Sequence, residues 1–316
     1  MPLQIEYALI AANVYGSKDR DYVGSQAEVR HARNNLPLPN GWTFAGEPVI
    51  RPDGFMAQAY RRGNEIVVSY AGTTDESPLT TMANNDWLWG NVPAASALAL
   101  APQVVDAAEF YLNVLSANPG VQISFTGHSL GGGLASLMAV YFNHPAGVFD
   151  EAPFLKSADS STIVQALRQR LLQDGFTIPE AFQNYSAVDP TGAFIPSTTR
   201  QARDDLVQQI FTTGEILSLP VTATLNVVGA LLSRVNLRLA AGAINVAKIH
   251  NGQMIEMDPR AQSMLGWGAS LRGTSITSGH PVDLHSMVLL AGFGLQQGFN
   301  SSSPFLRLVQ DYPEVL

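Results

Sequence analysis

The sequence contains no cysteine. Disulfides, thiolate nucleophiles and cysteine-ligated metal centres are therefore excluded. Charge is sparse as well. Asp, Glu, Lys and Arg make up 14% of the chain, with 18 basic residues against 26 acidic ones and a formal net charge of −8. A nucleic-acid binder needs a concentrated basic footprint, and this balance argues against one. There is no His-Glu-x-x-His pair and no EF-hand-like acidic run, so neither a metal nor a cofactor is expected. The N-terminal stretch lacks the basic start of a secretory signal and carries Glu6 inside its apolar part. That leaves a cytoplasmic location and signal-independent export equally open. The best candidate for a transmembrane span, residues 216–233, is broken by Pro220, Asn226 and several threonines, so no crossing is expected. Internal repeats and low-complexity tracts are also missing.

What is present is apolar. Hydrophobic residues form 46% of 316 residues, enough for a well-filled core. The length is long for one compact core and short for two ordinary domains. It fits a single domain, residues 1–316, carrying insertions. Helical periodicity appears at residues 4–15, 101–117, 130–142 and 161–172. Short β-prone runs appear at 55–60, 65–70, 121–126, 147–149 and 206–211. Residues 34–46 read as loop. The alternation predicts an α/β fold with a mostly parallel central sheet flanked by helices. Residues 154–205 and 218–247 break the alternation and read as insertions, the second apolar enough to serve as a lid or cap. Packing helices are the competing reading for 218–247.

One motif carries chemistry. Gly127-His128-Ser129-Leu130-Gly131 is weak as a bare glycine–x–serine–x–glycine match. Its setting strengthens it, because a β-prone run precedes it and a helix of small and apolar residues follows. A nucleophile elbow requires that strand–turn–helix context. The two glycines let the turn close, and the helix N-terminus offers unpaired N–H groups to a developing oxyanion. Ser129 is thus the expected nucleophile.

The run Gly127-His128-Ser129-Leu130-Gly131-Gly132-Gly133 closely resembles the elbow of the class 3 lipases, a family of α/β-hydrolases. Tyr70-Ala71-Gly72-Thr73-Thr74 resembles that family's oxyanion segment, and Trp87 in Asn85-Asp86-Trp87-Leu88 its downstream tryptophan. The likeness runs through residues 5–142 and returns in short islands at 206–219 and 281–290. Ala71 departs from it, since the family commonly has arginine or histidine there. The resemblance implies an α/β-hydrolase fold with oxyanion donors at the N–H groups of Thr73 and Leu130. It also implies a lipid or small-ester substrate, and contact with a lipid interface. Trp87 and His128 are the candidate substrate-side residues; core packing is the competing reading for Trp87 and its neighbour Trp89.

A serine nucleophile needs a base. His31 lies in a polar loop, His128 within the elbow, and His144 at a helix end where a capping role is expected. His250, His280 and His285 remain. The chain order serine, acid, histidine places the base near the C-terminus, and Asp283-Leu284-His285-Ser286 resembles the family's histidine segment. His285 is the expected base, with His280 and His250 as alternatives. The acid should follow a strand beyond the elbow helix. Glu215 fits that position, in a segment resembling one where the family usually has aspartate. Asp189 and Asp150 compete with it. The chemistry implied is hydrolysis of acylglycerols or similar apolar esters through an acyl-enzyme. A phospholipase A1 would use the same triad, and a non-catalytic ligand-binding member of the fold is the reading from a different class.

Overall fold

The computed structural model of the chain describes residues 1–18, 38–72, 100–152, 154–187, 198–212 and 253–255. The described residues form a central sheet of eight strands. These are β1 (Thr43–Phe44), β2 (Val49–Ile50), β3 (Met56–Arg62), β4 (Glu65–Tyr70), β5 (Gln122–His128), β6 (Ala146–Phe149), β7 (Val207–Thr212) and β8 (Gln253–Ile255). The spatial order is β1-β3-β4-β5-β6-β7-β8, with β2 also on β3. The β3–β4 hairpin is antiparallel and turns at Gly63-Asn64, with Gly63 at φ 57°. From β4 to β8 every pairing is parallel.

Parallel strands need crossovers that cover both sheet faces, which is why these runs are apolar at consecutive positions rather than alternate ones. In β4, Ile66 and Val68 face the main core while Val67 faces a second one. The main core is filled by helices α2 (Pro102–Ala117) and α3 (Leu130–Phe142). α3 is buried on every side, as its lack of any charged residue requires. The second core is built by α1 (Gln4–Asn13), whose Tyr7, Leu9 and Ile10 pack with Trp42, Tyr60, Val67, Phe149 and Ile210. Among the described residues, no helix is long and apolar enough to cross a membrane.

The predicted elements at 4–15, 55–60, 65–70, 101–117, 130–142 and 161–172 all appear, with ends shifted by a residue or two. Three differences have physical causes. β1 and β2 lie in or beside the stretch read as loop. Each has only two residues, too few to show periodicity, and each is held by pairing with β3. β5 runs on through Gly127 and His128 because its ladder continues there with Val148 and Phe149 of β6. The described residues of 154–205, the stretch expected as an insertion, lie on the crossover from β6 to β7. They include α4 (Leu155–Ala158), α5 (Ser161–Gln173), α6 (Glu180–Gln183) and α7 (Thr198–Gln201). Phe154, Leu155, Leu167, Phe182 and Tyr185 from this stretch join the main core. The other expected insertion, 218–247, lies outside the described residues. β8 had no sequence signal and adds a parallel edge to β7.

Candidate active site

The site follows from register. Tyr70 of β4 pairs with Gly127 of β5, and His128 pairs with Phe149 of β6. The chain therefore leaves three adjacent strands at Gly72, Ser129 and Asp150, side by side at the C-terminal edge of the sheet. In open α/β sheets that edge is where ligands bind.

Ser129 is the turn between β5 and α3, at φ 58° and ψ −127°. A side chain rarely takes this conformation, at a cost on the order of 1–3 kcal/mol that the surroundings must offset. The offset is visible. Ser129 N–H donates to the Phe149 carbonyl at 3.1 Å, and the Ser129 carbonyl accepts from Gly133 at 3.1 Å and Ala152 at 2.8 Å. The glycines make the turn possible sterically. A Cβ on Gly127 would lie 2.2 Å from the Gly131 carbonyl oxygen, and one on Gly131 would lie 2.1 Å from that of Tyr70. A strained serine between strand and helix is the geometry of a nucleophile elbow. Leu130 opens α3, so its N–H has no acceptor within the helix.

Gly72 closes one side of the serine. A Cβ there would come within 3.0 Å of Ser129 Cβ and 2.6 Å of the His128 carbonyl oxygen. The His128 ring is buried, and its Nδ1 lies 2.9 Å from the Tyr15 hydroxyl. On the other side, Asp150 is fully buried and sits at φ 40° at the end of β6. Its N–H donates to the Ile210 carbonyl at 2.8 Å. Beneath the elbow the carboxyl of Glu151, also fully buried, accepts from Ser136 Oγ at 2.6 Å and from Gln209 Nε2. A Cβ on Gly132 would meet Glu151 Cβ at 2.9 Å, so the helix start rests directly on this residue.

Of the expected site residues, Ser129, Leu130 and His128 come together at the elbow, with Asp150 on the next strand end. Thr73, Trp87, Trp89, Asp189, Glu215, His250, His280 and His285 lie outside the described residues, as does His31. His144 differs from its expected role. It follows α3 but turns its ring into the protein, where Nε2 lies 2.9 Å from the Tyr111 hydroxyl. Burial pushes its pKa down to about 4, so it is neutral at pH 7 and brings no charge to the helix dipole. Sequence reasoning did not single out Tyr15 or Glu151. Tyr15 meets His128 across 113 residues and Glu151 meets Gln209 across 58, separations at which no local pattern survives. Among the described residues no cluster of His, Asp and Glu could hold a metal ion.

The chain is similar in structure to a lipase from Rhizopus microsporus var. chinensis, at 14% identity over 69% of this chain and 68% of that one, with a TM-score of 0.34. It is also similar to the Lip2 lipase of Yarrowia lipolytica, at 15% identity over 68% and 71%, with a TM-score of 0.33. A third is the Rhizomucor miehei lipase in its propeptide complex, at 13% identity over 69% and 62%, with a TM-score of 0.33. No curated protein sequence matches the chain. Residues 6–168, which run from α1 through the elbow into α5, match the phospholipase-like family described as the Tle-like phospholipase domain. The chain belongs to that family, in keeping with the lipase resemblance carried by its Gly127–Gly133 run.

Proposed function

We propose that the protein hydrolyses carboxylic esters of lipids through an acyl-enzyme on Ser129. The observation that carries this reading is the strained Ser129 turn, at φ 58° between β5 and α3, with Gly72 against its Cβ. Ser129 Oγ attacks the ester carbonyl carbon while His285 takes the hydroxyl proton. The N–H groups of Thr73 and Leu130 hold the resulting oxyanion. Collapse of this intermediate expels the alcohol, which takes the proton from His285. A water then repeats the sequence and releases the fatty acid. Glu215, with Asp189 as the alternative, orients the imidazole and stabilises its cation. Trp87 and His128 stand on the substrate side. The chain works as a single α/β-hydrolase domain, with 154–205 and 218–247 elaborating it and an apolar face meeting the lipid surface.

Replacing the nucleophile tests the reading. Ser129→Ala should abolish hydrolysis of p-nitrophenyl esters and labelling by a fluorophosphonate probe; retained turnover would sink it. Two substrates compete. Acylglycerols are the expectation from the sequence resemblance. The family's description as a phospholipase domain favours a second reading, the acyl ester of a phosphoglyceride. Initial rates on phosphatidylcholine and on triacylglycerol, both presented in mixed micelles, separate the two.

A further inference from the structure

The N-terminal segment and the elbow meet at one hydroxyl. Tyr15 belongs to the 3-10 turn Val14–Lys18 that follows α1. Its Oη accepts the Gly72 N–H at 2.9 Å. The same oxygen lies 2.9 Å from His128 Nδ1 and 3.4 Å from the His128 carbonyl oxygen. A phenol has one proton to donate and can accept in return. Here the accepting side takes the Gly72 peptide, while the proton has a ring nitrogen and a carbonyl to choose between. The Tyr15 ring stands edge-on to the imidazole, 6.0 Å between centroids, and packs beside Val14, Met56 and Ala71. One side chain thus bridges the segment leaving β4 and the last residue of β5, which directly precedes Ser129.

The bridge has no slack. A Cβ on Gly72 would lie 2.4 Å from Tyr15 Oη as well as 2.6 Å from the His128 carbonyl oxygen. The Gly72 peptide is therefore confined between the hydroxyl on one side and the elbow on the other. The register of β4 against β5 brings it near, since Tyr70 pairs with Gly127. Past Tyr70 the Ala71 N–H still donates to the Met56 carbonyl at 2.9 Å, and the Tyr15 hydroxyl takes the next N–H, that of Gly72.

We infer that Tyr15 is a positioning residue for the proposed hydrolysis: its hydroxyl pins the Gly72 peptide against Ser129, so that the oxyanion loop starts from a fixed point beside the nucleophile. The inference rests on the reading of Ser129 as nucleophile. Tyr15 acts through the Gly72 peptide and His128. Oxyanion donors are effective only when they are already in place as charge develops, so a loosened loop costs transition-state binding and spares ground-state binding.

Tyr15→Phe removes the hydroxyl and keeps the ring. On a short-chain p-nitrophenyl ester its kcat should fall by about ten- to a hundredfold, while KM stays within about twofold. Affinity for an alkylboronic acid, which forms a tetrahedral anion on the serine, should fall by the same factor as kcat. A thermal melt shows that the variant is folded at the assay temperature. Gly72→Ala, whose Cβ would press on the Tyr15 hydroxyl and the His128 carbonyl oxygen and so break the same contact, should give the same joint loss. The role is overturned if either folded variant keeps kcat and boronate affinity within about twofold of wild type, or loses kcat without the matching loss of boronate affinity. Wild-type protein inert to both ester and boronic acid would overturn the parent reading and this role with it. Active wild type beside an unimpaired Tyr15→Phe overturns this role alone.

Discussion

At the scale of single residues, the site is a set of close backbone approaches that only hydrogen atoms can occupy. Ser129 holds an unfavourable φ because its N–H and carbonyl are bonded to Phe149, Gly133 and Ala152. Those bonds form only if the start of α3 can lie against the ends of β4 and β5. Gly131 is the tightest of these contacts, since a Cβ there would face the Tyr70 carbonyl oxygen at 2.1 Å and the Ala71 carbonyl carbon at 2.6 Å. Both obstacles are backbone and cannot swing aside. Gly131→Ala should therefore lower stability by about 1–3 kcal/mol, in the range for overpacked sites, and should reduce ester hydrolysis by moving the helix start. Urea unfolding beside initial rates checks both effects. A variant as stable and as active as wild type would mean that the turn has room the geometry denies.

Elements here are held by tertiary burial more than by their own caps. α2 begins with Pro102 at its first position and no side-chain cap, and α3 begins on the strained Ser129 without one. α5, by contrast, has a serine at its N-cap. Its N-cap Ser160 accepts from the Ile163 N–H at 3.3 Å, and only its Ile163, Val164, Leu167 and Leu171 positions are buried. A helix with one apolar face and a solvated remainder depends on its cap more than a helix enclosed on all sides. Ser160→Ala should cost about 1 kcal/mol, and Ser160→Gly only a few tenths. Chemical denaturation of the two variants measures the difference, and equal losses would remove the cap from the explanation. α1 combines the two, since its Glu6 carboxylate accepts the Leu3 N–H at 2.7 Å while most of the helix is buried. Its hydrophobic residues close the second sheet face, so the fold's N-terminal helix is a wall of the core and also the base from which Tyr15 reaches the elbow.

For the whole molecule, two half-buried titrations oppose each other in mild acid. Asp106 is pushed up to about 6, first by burial and then by Asp53, against the pull of Arg51. A carboxyl whose folded pKa is raised stabilises the fold below its unfolded pKa near 4, and that contribution is lost as pH rises through about 6. His144 is pushed down to about 4 by burial. Its contribution is complete above its unfolded pKa of about 6.5 and is lost as pH falls through about 4. Each is worth about 1–3 kcal/mol after allowance for partial exposure. Wild type should show little net slope from these two groups between pH 4 and 6.5. Asp106→Asn should gain stability relative to wild type as pH rises from 4 to 7, and His144→Phe should gain relative to wild type as pH falls from 7 to 4. Denaturation midpoints across that range decide the matter, and a pH-independent difference for either variant would show that its group is not shifted as described.

Much was legible in the sequence because it is written locally. The helices at 130–142 and 161–172, the strands at 55–60 and 65–70, and the Gly127–Gly131 turn all rest on periodicity or on residue types within a few positions of one another. The elbow and the α/β alternation followed from that alone. Tertiary structure decided what depends on pairing across long separations. The two-residue strands β1 and β2 exist only because β3 offers a partner, and β5 extends through His128 because β6 continues the ladder. His144 reads as a helix-end cap until Tyr111 takes its ring. Tyr15 reads as an ordinary aromatic at a helix end until the register of β4 on β5 brings Gly72 and His128 to its hydroxyl. The residue types a nucleophile turn needs are a property of the sequence, but the neighbours that hold the turn are set by which strand lies beside which.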